Sequence, residues 1–297
     1  MSALPRRHLS AARRGILWML LTVMMFVSVS ALIKQLAVDY PVPQALWARF
    51  FFHAVVTVLV FRGRLPHLLA TPKAGVQVVR ATLFLVTSAL FFTTLYVMPL
   101  ADASAVMFLV PILITALSVP ILGESVGVRR WLSVVVGFAG ALLIIRPGAD
   151  ILAVAVVVPL AAALSQSLYE LTTRLTSRGD PPFTTAAYTP LVGVLVTSAV
   201  APFFWVQPDL AGWALMAFMG LVSFVSQFTL IKAYQAAPAA VVAPFYYTML
   251  IWATVFGFVL FDEVPDATTM LGAVIVAASG LYIFRGEQAP SRPGGTP

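Results

Sequence analysis

Ten stretches of this chain carry no charged side chain or only one: 15–33, 40–61 (interrupted only by Arg49), 81–101, 103–123, 131–145, 151–169, 181–208, 210–231, 233–261 and 267–284. A hydrocarbon layer about 30 Å thick is crossed by about 20 helical residues, and inside it every backbone N–H must find a partner within its own segment. Ten such runs predict an all-α integral membrane protein with ten transmembrane helices. Composition agrees: 61% of residues are hydrophobic and 10% charged, against roughly 25% charged in a soluble domain. The run 131–145 is short, and Arg129, Arg130 and Arg146 lengthen it by extending their stems to the interface. Arg13 and Arg14 ahead of the first run resemble a secretory signal, but the run is long and nine more follow, which predicts a retained first helix.

The basic residues sort the two faces. With the N-terminus inside, the inner segments hold Arg6, Arg7, Arg13, Arg14, Arg62, Arg64, Lys73, Arg80, Arg129, Arg130, Arg174, Arg178, Lys232, Arg285 and Arg292, and the outer connections hold only Lys34 and Arg146. Positive charge stays on the cytoplasmic side, so both termini are expected there. The formal net charge of +7 is not a nucleic-acid footprint, because the basic residues punctuate apolar helices instead of covering a soluble face.

Residue n of the first half pairs with n + 139 in the second: Pro99 with Pro238, Ala101 with Ala240, Glu124 with Glu263 and, more loosely, Pro43 with Pro182. Each half holds five helices, so the second copy enters the membrane with opposite polarity. That inversion explains why Glu124 is followed by Arg129 and Arg130 while Glu263 lies between Asp262 and Asp266: the unit, turned over, exchanges its flanking charges. The expected organisation is a cytoplasmic N-terminal segment 1–14, a first five-helix repeat 15–146, a second 151–285, and a disordered cytoplasmic tail 286–297. Inverted repeats of odd helix number are a signature of secondary transporters, since two mirror-related halves supply two states of similar energy; the other reading of such a repeat is a merely stable bundle.

Five helices plus five, Pro99-x-Ala101-x-Ala103 at the start of the fourth span, Leu122-Gly123-Glu124, and the segment GFAGALLIIRPG at 137–148 together resemble the drug/metabolite transporter superfamily and its ten-helix EamA-like exporters. The resemblance covers about 15–285. It implies a multi-pass protein of the bacterial inner membrane that exports small metabolites by alternating access, and the chain looks most like exporters of amino acids, aromatic ones included. Its implied partners are a small-molecule substrate and the lipid bilayer, with no cofactor; the oligomeric state is open, and a monomer suffices because the repeat supplies the symmetry.

Candidate cavity residues are few. Gln166 and Glu170, four apart, share one face of the sixth span; with neighbouring Tyr169 they either meet a substrate amino group, or Glu170 relays a proton, or it pairs with Arg174. Arg49 in the second span either binds a carboxylate or ties two helices together. Tyr246, Tyr247 and Trp252 in the ninth span and Tyr96 closing the third are candidates for stacking on apolar or aromatic solutes, against the alternative of an interfacial belt. Thr87, Ser88, Ser104 and Gln227 offer uncharged hydrogen-bonding groups or interhelical bonds. Pro111, Pro159, Pro190 and Pro244 are expected to kink their helices. The small residues of the fifth and tenth spans, Gly137, Gly140, Ala141, Gly272, Ala273, Ala277 and Gly280, assign those helices to packing.

Catalysis has little support. Gly123-Glu124-Ser125-Val126-Gly127 fits G-x-S-x-G, but that chemistry needs a later histidine, and the three histidines stand at 8, 53 and 67. Cysteine is absent, and no metal-ligating or phosphate-gripping motif occurs. The expected protein is therefore not an enzyme and holds no metal; the rival classes are a channel, which builds its pore from charged or carbonyl rings, and a membrane-embedded acid catalyst.

Overall fold

The computed structural model describes residues 6–122, 128–145, 153–176, 180–237 and 239–288. The Leu-Gly-Glu motif from Gly123 onward, Arg146, Pro238 and the tail beyond Gln288 lie outside the described residues. Among the described residues every regular element is helical. In chain order they are α1 (Arg6–Leu36), α2 (Val42–Phe61), short α3 (Leu65–Leu69), α4 (Ala74–Val97), α5 (Leu100–Val106), α6 (Leu109–Leu122), α7 (Val128–Ile145), α8 (Ala153–Thr176), α9 (Pro182–Val200), α10 (Leu210–Ala236), α11 (Ala239–Val242), α12 (Met249–Phe261) and α13 (Ala267–Gln288). Short 3₁₀ turns cover Ala201–Phe204 and Ala243–Thr248. Six helical segments are long and apolar enough to cross a membrane outright, and three shorter apolar ones, Trp131–Ile145, Phe245–Phe261 and Ala267–Tyr282, join them. With α8 these make the ten spans, α5 with α6 and α11 with α12 each counting as one. The protein is an all-α membrane protein built from two inverted five-helix repeats.

The packing shows the repeat directly. Helix α1 lies along α10 as α8 lies along α4; α2 reaches α10 as α9 reaches α4; α1 touches α12 as α8 touches α6; α2–α9 and α7–α13 pair with their own counterparts. Exchanging the halves maps these pairings onto one another. Because five spans separate counterparts, α1 and α8 run in opposite directions. One end of the bundle gathers the C-termini of α1, α4, α9 and α12; the opposite end gathers those of α2, α8 and α10. We call these the Lys34 end and the Asp180 end.

Lipid explains the exterior. Leu195 (75% exposed), Val135 (63%) and Val259 (69%) point outward from α9, α7 and α12, which in water would be an aggregation surface and in hydrocarbon costs nothing. Hydroxyls inside the spans mostly turn back onto the carbonyl four residues earlier, as Thr82, Thr93 and Thr94 do, so that few polar groups stay free in the bilayer. Thr22 of α1 also donates a bond across to Thr229 of α10 at 2.9 Å, fixing the longest helix pair.

Several element boundaries differ from those expected. The basic, polar first dozen residues predict a disordered N-terminus, but from Arg6 onward they continue α1; no proline follows Pro5 there and Ala11-Ala12-Arg13-Arg14 favours helix. Helix α4 begins at Ala74, seven residues before the uncharged run, and takes Arg80 into the bundle. Pro111 does not kink a continuous helix. The fourth span breaks at Met107–Phe108, where Phe108 and Val110 donate to Ala105 and Met107 in tighter, three-residue turns. A proline at 111 cannot donate to Met107 and its ring crowds that carbonyl, so the break falls one turn ahead of it. The ninth span is interrupted at the matching place by the 3₁₀ turn Ala243–Thr248, through Pro244. Pro159 and Pro190 lie inside uninterrupted α8 and α9, and α6 holds a further proline, Pro120.

Helices α7 and α13 cross backbone to backbone. A Cβ built on Gly272 would sit 2.6 Å from the Gly140 carbonyl oxygen and 2.7 Å from Ile144, and neither the carbonyl nor the helix behind it can withdraw cheaply. We expect Gly272→Ala to lower stability by about 1–3 kcal/mol in thermal unfolding of the detergent-purified protein, and Gly75→Ala, where nothing lies within 4 Å, to leave it unchanged. Equal behaviour of the two variants would contradict this packing.

Candidate functional site

The two interrupted spans meet at the centre. Phe108 follows the break of the fourth, Tyr247 sits in the 3₁₀ turn of the ninth, and their rings meet edge to face with centroids 5.0 Å apart. The two residues are 139 apart, so counterparts of the repeat touch where the halves join. Interrupted helices at the interface of inverted repeats are where transporters place their substrate groups, because only there does irregular backbone line a cavity.

Around this point stand the candidate groups. Glu170 accepts a 3.0 Å hydrogen bond from Gln166 one turn earlier on α8, so the two do share a face. Tyr246 and Tyr234, from the 3₁₀ turn and the end of α10, lie within electrostatic reach of the Glu170 carboxylate. Tyr234 is half exposed and Tyr246, Tyr247 and Trp252 are partly buried; Trp252 packs on Phe256 at 6.4 Å. This is a carboxylate and an amide set among phenol rings, suited to a small solute with an amino group and an apolar or aromatic body.

Other candidates lie elsewhere. Thr87 spends its hydroxyl on the Leu83 carbonyl at 2.9 Å, and Ser104 is fully buried in α5. Tyr96 donates to the Tyr40 carbonyl at 2.6 Å, tying α4 to the loop after α1 at the Lys34 end. Tyr169 is buried against α4, its ring 5.0 Å from Phe84 and under the Arg80 guanidinium at 5.1 Å. Gln227 lines a narrow cleft between α2, α9 and α10 with His53, Phe61, Phe183 and Phe224, away from Glu170. Ser88 accepts from Arg49 Nη1 at 3.1 Å.

Two networks were not anticipated. At the Lys34 end, Lys34 of α1 pairs with Glu263 and also donates to the Met98 carbonyl at 3.0 Å, while the second Glu263 oxygen accepts from the Leu100 amide at 3.0 Å. The chain reaches Glu263 through Asp262, which takes a left-handed conformation (φ 56) so that the amides of 262 and 263 cap α12 on Phe258 and Gly257. One carboxylate thus joins α1 and α5 of the first repeat to the α12–α13 turn of the second. The signal in the sequence is that Lys34 is one of two outer basic residues and shares that side with the acidic 262–266 turn.

At the other end, Arg80, counted from sequence among the loop charges, is completely buried. Its Nη2 donates to the Thr185 carbonyl (2.7 Å) and Thr189 hydroxyl (2.6 Å), and its Nε to Gln77 (3.1 Å). Gln77 in turn donates to Asp180 at 2.7 Å, as does Thr71 at 2.6 Å. Gln77 so relays the aspartate's charge to an arginine it does not touch, and the net locks α4 to α9. Burial pushes the Asp180 carboxyl up, but the bonds from Thr71 and Gln77 and the nearby Lys73 charge outweigh it and hold the group below the usual aspartate range. A depressed carboxylate stabilises the fold while charged; that contribution is complete above the ordinary aspartate value and disappears as pH falls through the depressed folded one. We expect Asp180→Asn to lower the thermal midpoint at pH 7 and to flatten its acid limb; wild-type slope in the variant would contradict the assignment.

The chain matches the EamA-like transporter family over residues 13–146 and 153–285. It is 26% identical over 276 residues to an S-adenosylmethionine uptake transporter of Rickettsia prowazekii, covering 92% of this chain and 93% of that one. To a riboflavin transporter of Rhizobium johnstonii it is 30% identical over 292 residues, 95% of each chain, and to the pseudopaline exporter of Pseudomonas aeruginosa 26% over 284 residues, covering 93% and 98%. A solved crystal structure superimposes with a TM-score of 0.63 at 19% identity, over 94% of this chain and 99% of the other; it supports the fold alone. The two matched segments are the two halves whose packing mirrors each other, and the relatives are named as transporters and an exporter: the chain is a membrane transporter of the EamA-like family.

Proposed function

We propose that this transporter exports small amphipathic solutes bearing an amino group, amino acids and among them aromatic ones, from the cytoplasm across a bacterial inner membrane, with both termini cytoplasmic. The observation that carries the reading is the Gln166–Glu170 pair beside Tyr246 and Tyr234 at the interrupted ninth span. A carboxylate receives the ammonium, phenol rings cover the apolar body, and the bilayer interior offers few other charges to satisfy. Relatives named for S-adenosylmethionine, riboflavin and pseudopaline support a family site that accepts varied solutes, and a second reading is another metabolite of this kind in the same cavity. The relatives' names include uptake and export, so direction rests on the resemblance to exporters.

Alternating access supplies the mechanism. The Lys34 end is held shut by the Lys34–Glu263 pair with its bonds to Met98 and Leu100, and by Tyr96 on Tyr40. Opening that end separates α1 and α5 from the α12–α13 turn. A partly exposed pair of this sort contributes about 1 kcal/mol or less, small enough for substrate binding to shift the balance between the two states.

In proteoliposomes, labelled phenylalanine should enter saturably and show counterflow, which excludes a channel, and Glu170→Gln should raise its KM by about tenfold; no movement of phenylalanine or threonine would overturn the amino-acid reading. Because the chain has no cysteine, a cysteine at buried Ser104 reports the latch. Glu263→Gln should speed its modification by a membrane-impermeant thiol reagent, and an unchanged rate would show that the pair does not hold that end closed.

A further inference from the structure

Arg49 sits about 10 Å down α2, since seven residues of rise separate it from Val42. Its guanidinium carbon lies 5.7, 5.2 and 5.4 Å from the ring centroids of Phe50, Phe84 and Phe92. Phe84, Ser88 and Phe92 come from successive turns of one face of α4, so the cation rests in an aromatic box closed by one hydroxyl. No carboxylate among the described residues pairs with it. Rings offset part of the cost of a cation in hydrocarbon, but they do not accept the in-plane N–H bonds of the guanidinium edge.

The use of that edge is uneven. Nη1 donates to Ser88, whereas Nε is buried with no partner. Nη2 makes no bond among the described residues either. Nε and Nη2 form the side of the guanidinium whose two N–H bonds run parallel, the fork that a planar carboxylate fills with both oxygens. An intramembrane arginine held by Ser88 and three rings, with this fork unpartnered, is a site awaiting an anion rather than a helix tie, because a tie would spend the fork on the neighbouring helix.

We infer that Arg49 binds the carboxylate of the transported solute through Nε and Nη2. A monovalent carboxylate neutralises the single charge, whereas a doubly charged phosphate would leave net negative charge in the bilayer interior. The inference rests on the transport reading above and deepens it: Arg49 takes the solute's carboxylate, and the Phe84 ring it rests on also meets Tyr169, the neighbour of Glu170 on α8.

The test is ligand-induced thermal stabilisation of the detergent-purified protein, with phenylalanine, its amide, 3-phenylpropionate and phenyl phosphate as probes, in wild type, Arg49→Gln and Arg49→Lys. Wild type should be stabilised by phenylalanine and phenylpropionate more than by the amide or the phosphate. Arg49→Gln should weaken phenylpropionate by about tenfold or more and lose the preference over the amide; Arg49→Lys, which keeps the charge but not the fork, should fall between and serves if the glutamine variant does not fold. Undiminished phenylpropionate binding in Arg49→Gln or Arg49→Lys, a wild type indifferent to every carboxylate, or one that prefers the phosphate, would overturn the inference. Stabilisation by phenylpropionate but not by phenylalanine would leave Arg49 in place and remove the amino-acid reading instead.

Discussion

A peptide N–H or C=O left unpaired in hydrocarbon costs several kcal/mol, and that penalty shapes this molecule at every scale. It forces each crossing into a helix, turns most buried hydroxyls back onto their own backbone, and admits broken helix only where protein covers it. Among the described residues two such places, Met107–Phe108 and Ala243–Thr248, lie in counterpart spans and meet at the junction of the halves through Phe108 and Tyr247. Irregular backbone and aromatic faces come together there, with the Glu170 carboxylate within electrostatic reach of Tyr246.

The repeat gives the protein two similar ways to pack, but its sequence makes the halves unequal where specificity is needed. Tyr247 answers Phe108, and Tyr188, which bonds the Leu69 carbonyl, answers Arg49. The shared frame is α7 against α13 and each half's first helix against the other's third, and the single-copy polar groups are where the proposed recognition would sit. Helices α7 and α13 meet through Gly140 and Gly272 so closely that no side chain can enter between them.

The spans themselves were legible, since uncharged length in a bilayer admits one interpretation, and the shared face of Gln166 and Glu170 followed from helical spacing. What escaped was non-local pairing. Arg80 reads as a loop charge because a lone arginine is cheapest in water; its burial depends on Gln77, Thr185, Thr189 and, one relay further, Asp180, about a hundred residues away. Lys34 likewise finds Glu263 only after the halves assemble. Thr87 and Tyr96 seemed available because composition does not show whether a hydroxyl is already spent on a carbonyl. Pro111 announced a disturbance, but its form, a break one turn upstream, depended on the carbonyl it crowds.

If the second five helices repeat the first upside down, connecting positions 139 apart lie at opposite ends of the bundle. Gly63 and Pro202 are such a pair, both exposed and at opposite ends of the bundle. In the cysteine-free chain, single cysteines there should react with a membrane-impermeant thiol reagent from opposite faces of the bilayer, one only in intact cells and the other only in inverted vesicles. Modification of both from the same face would contradict the inversion and the transport cycle built on it.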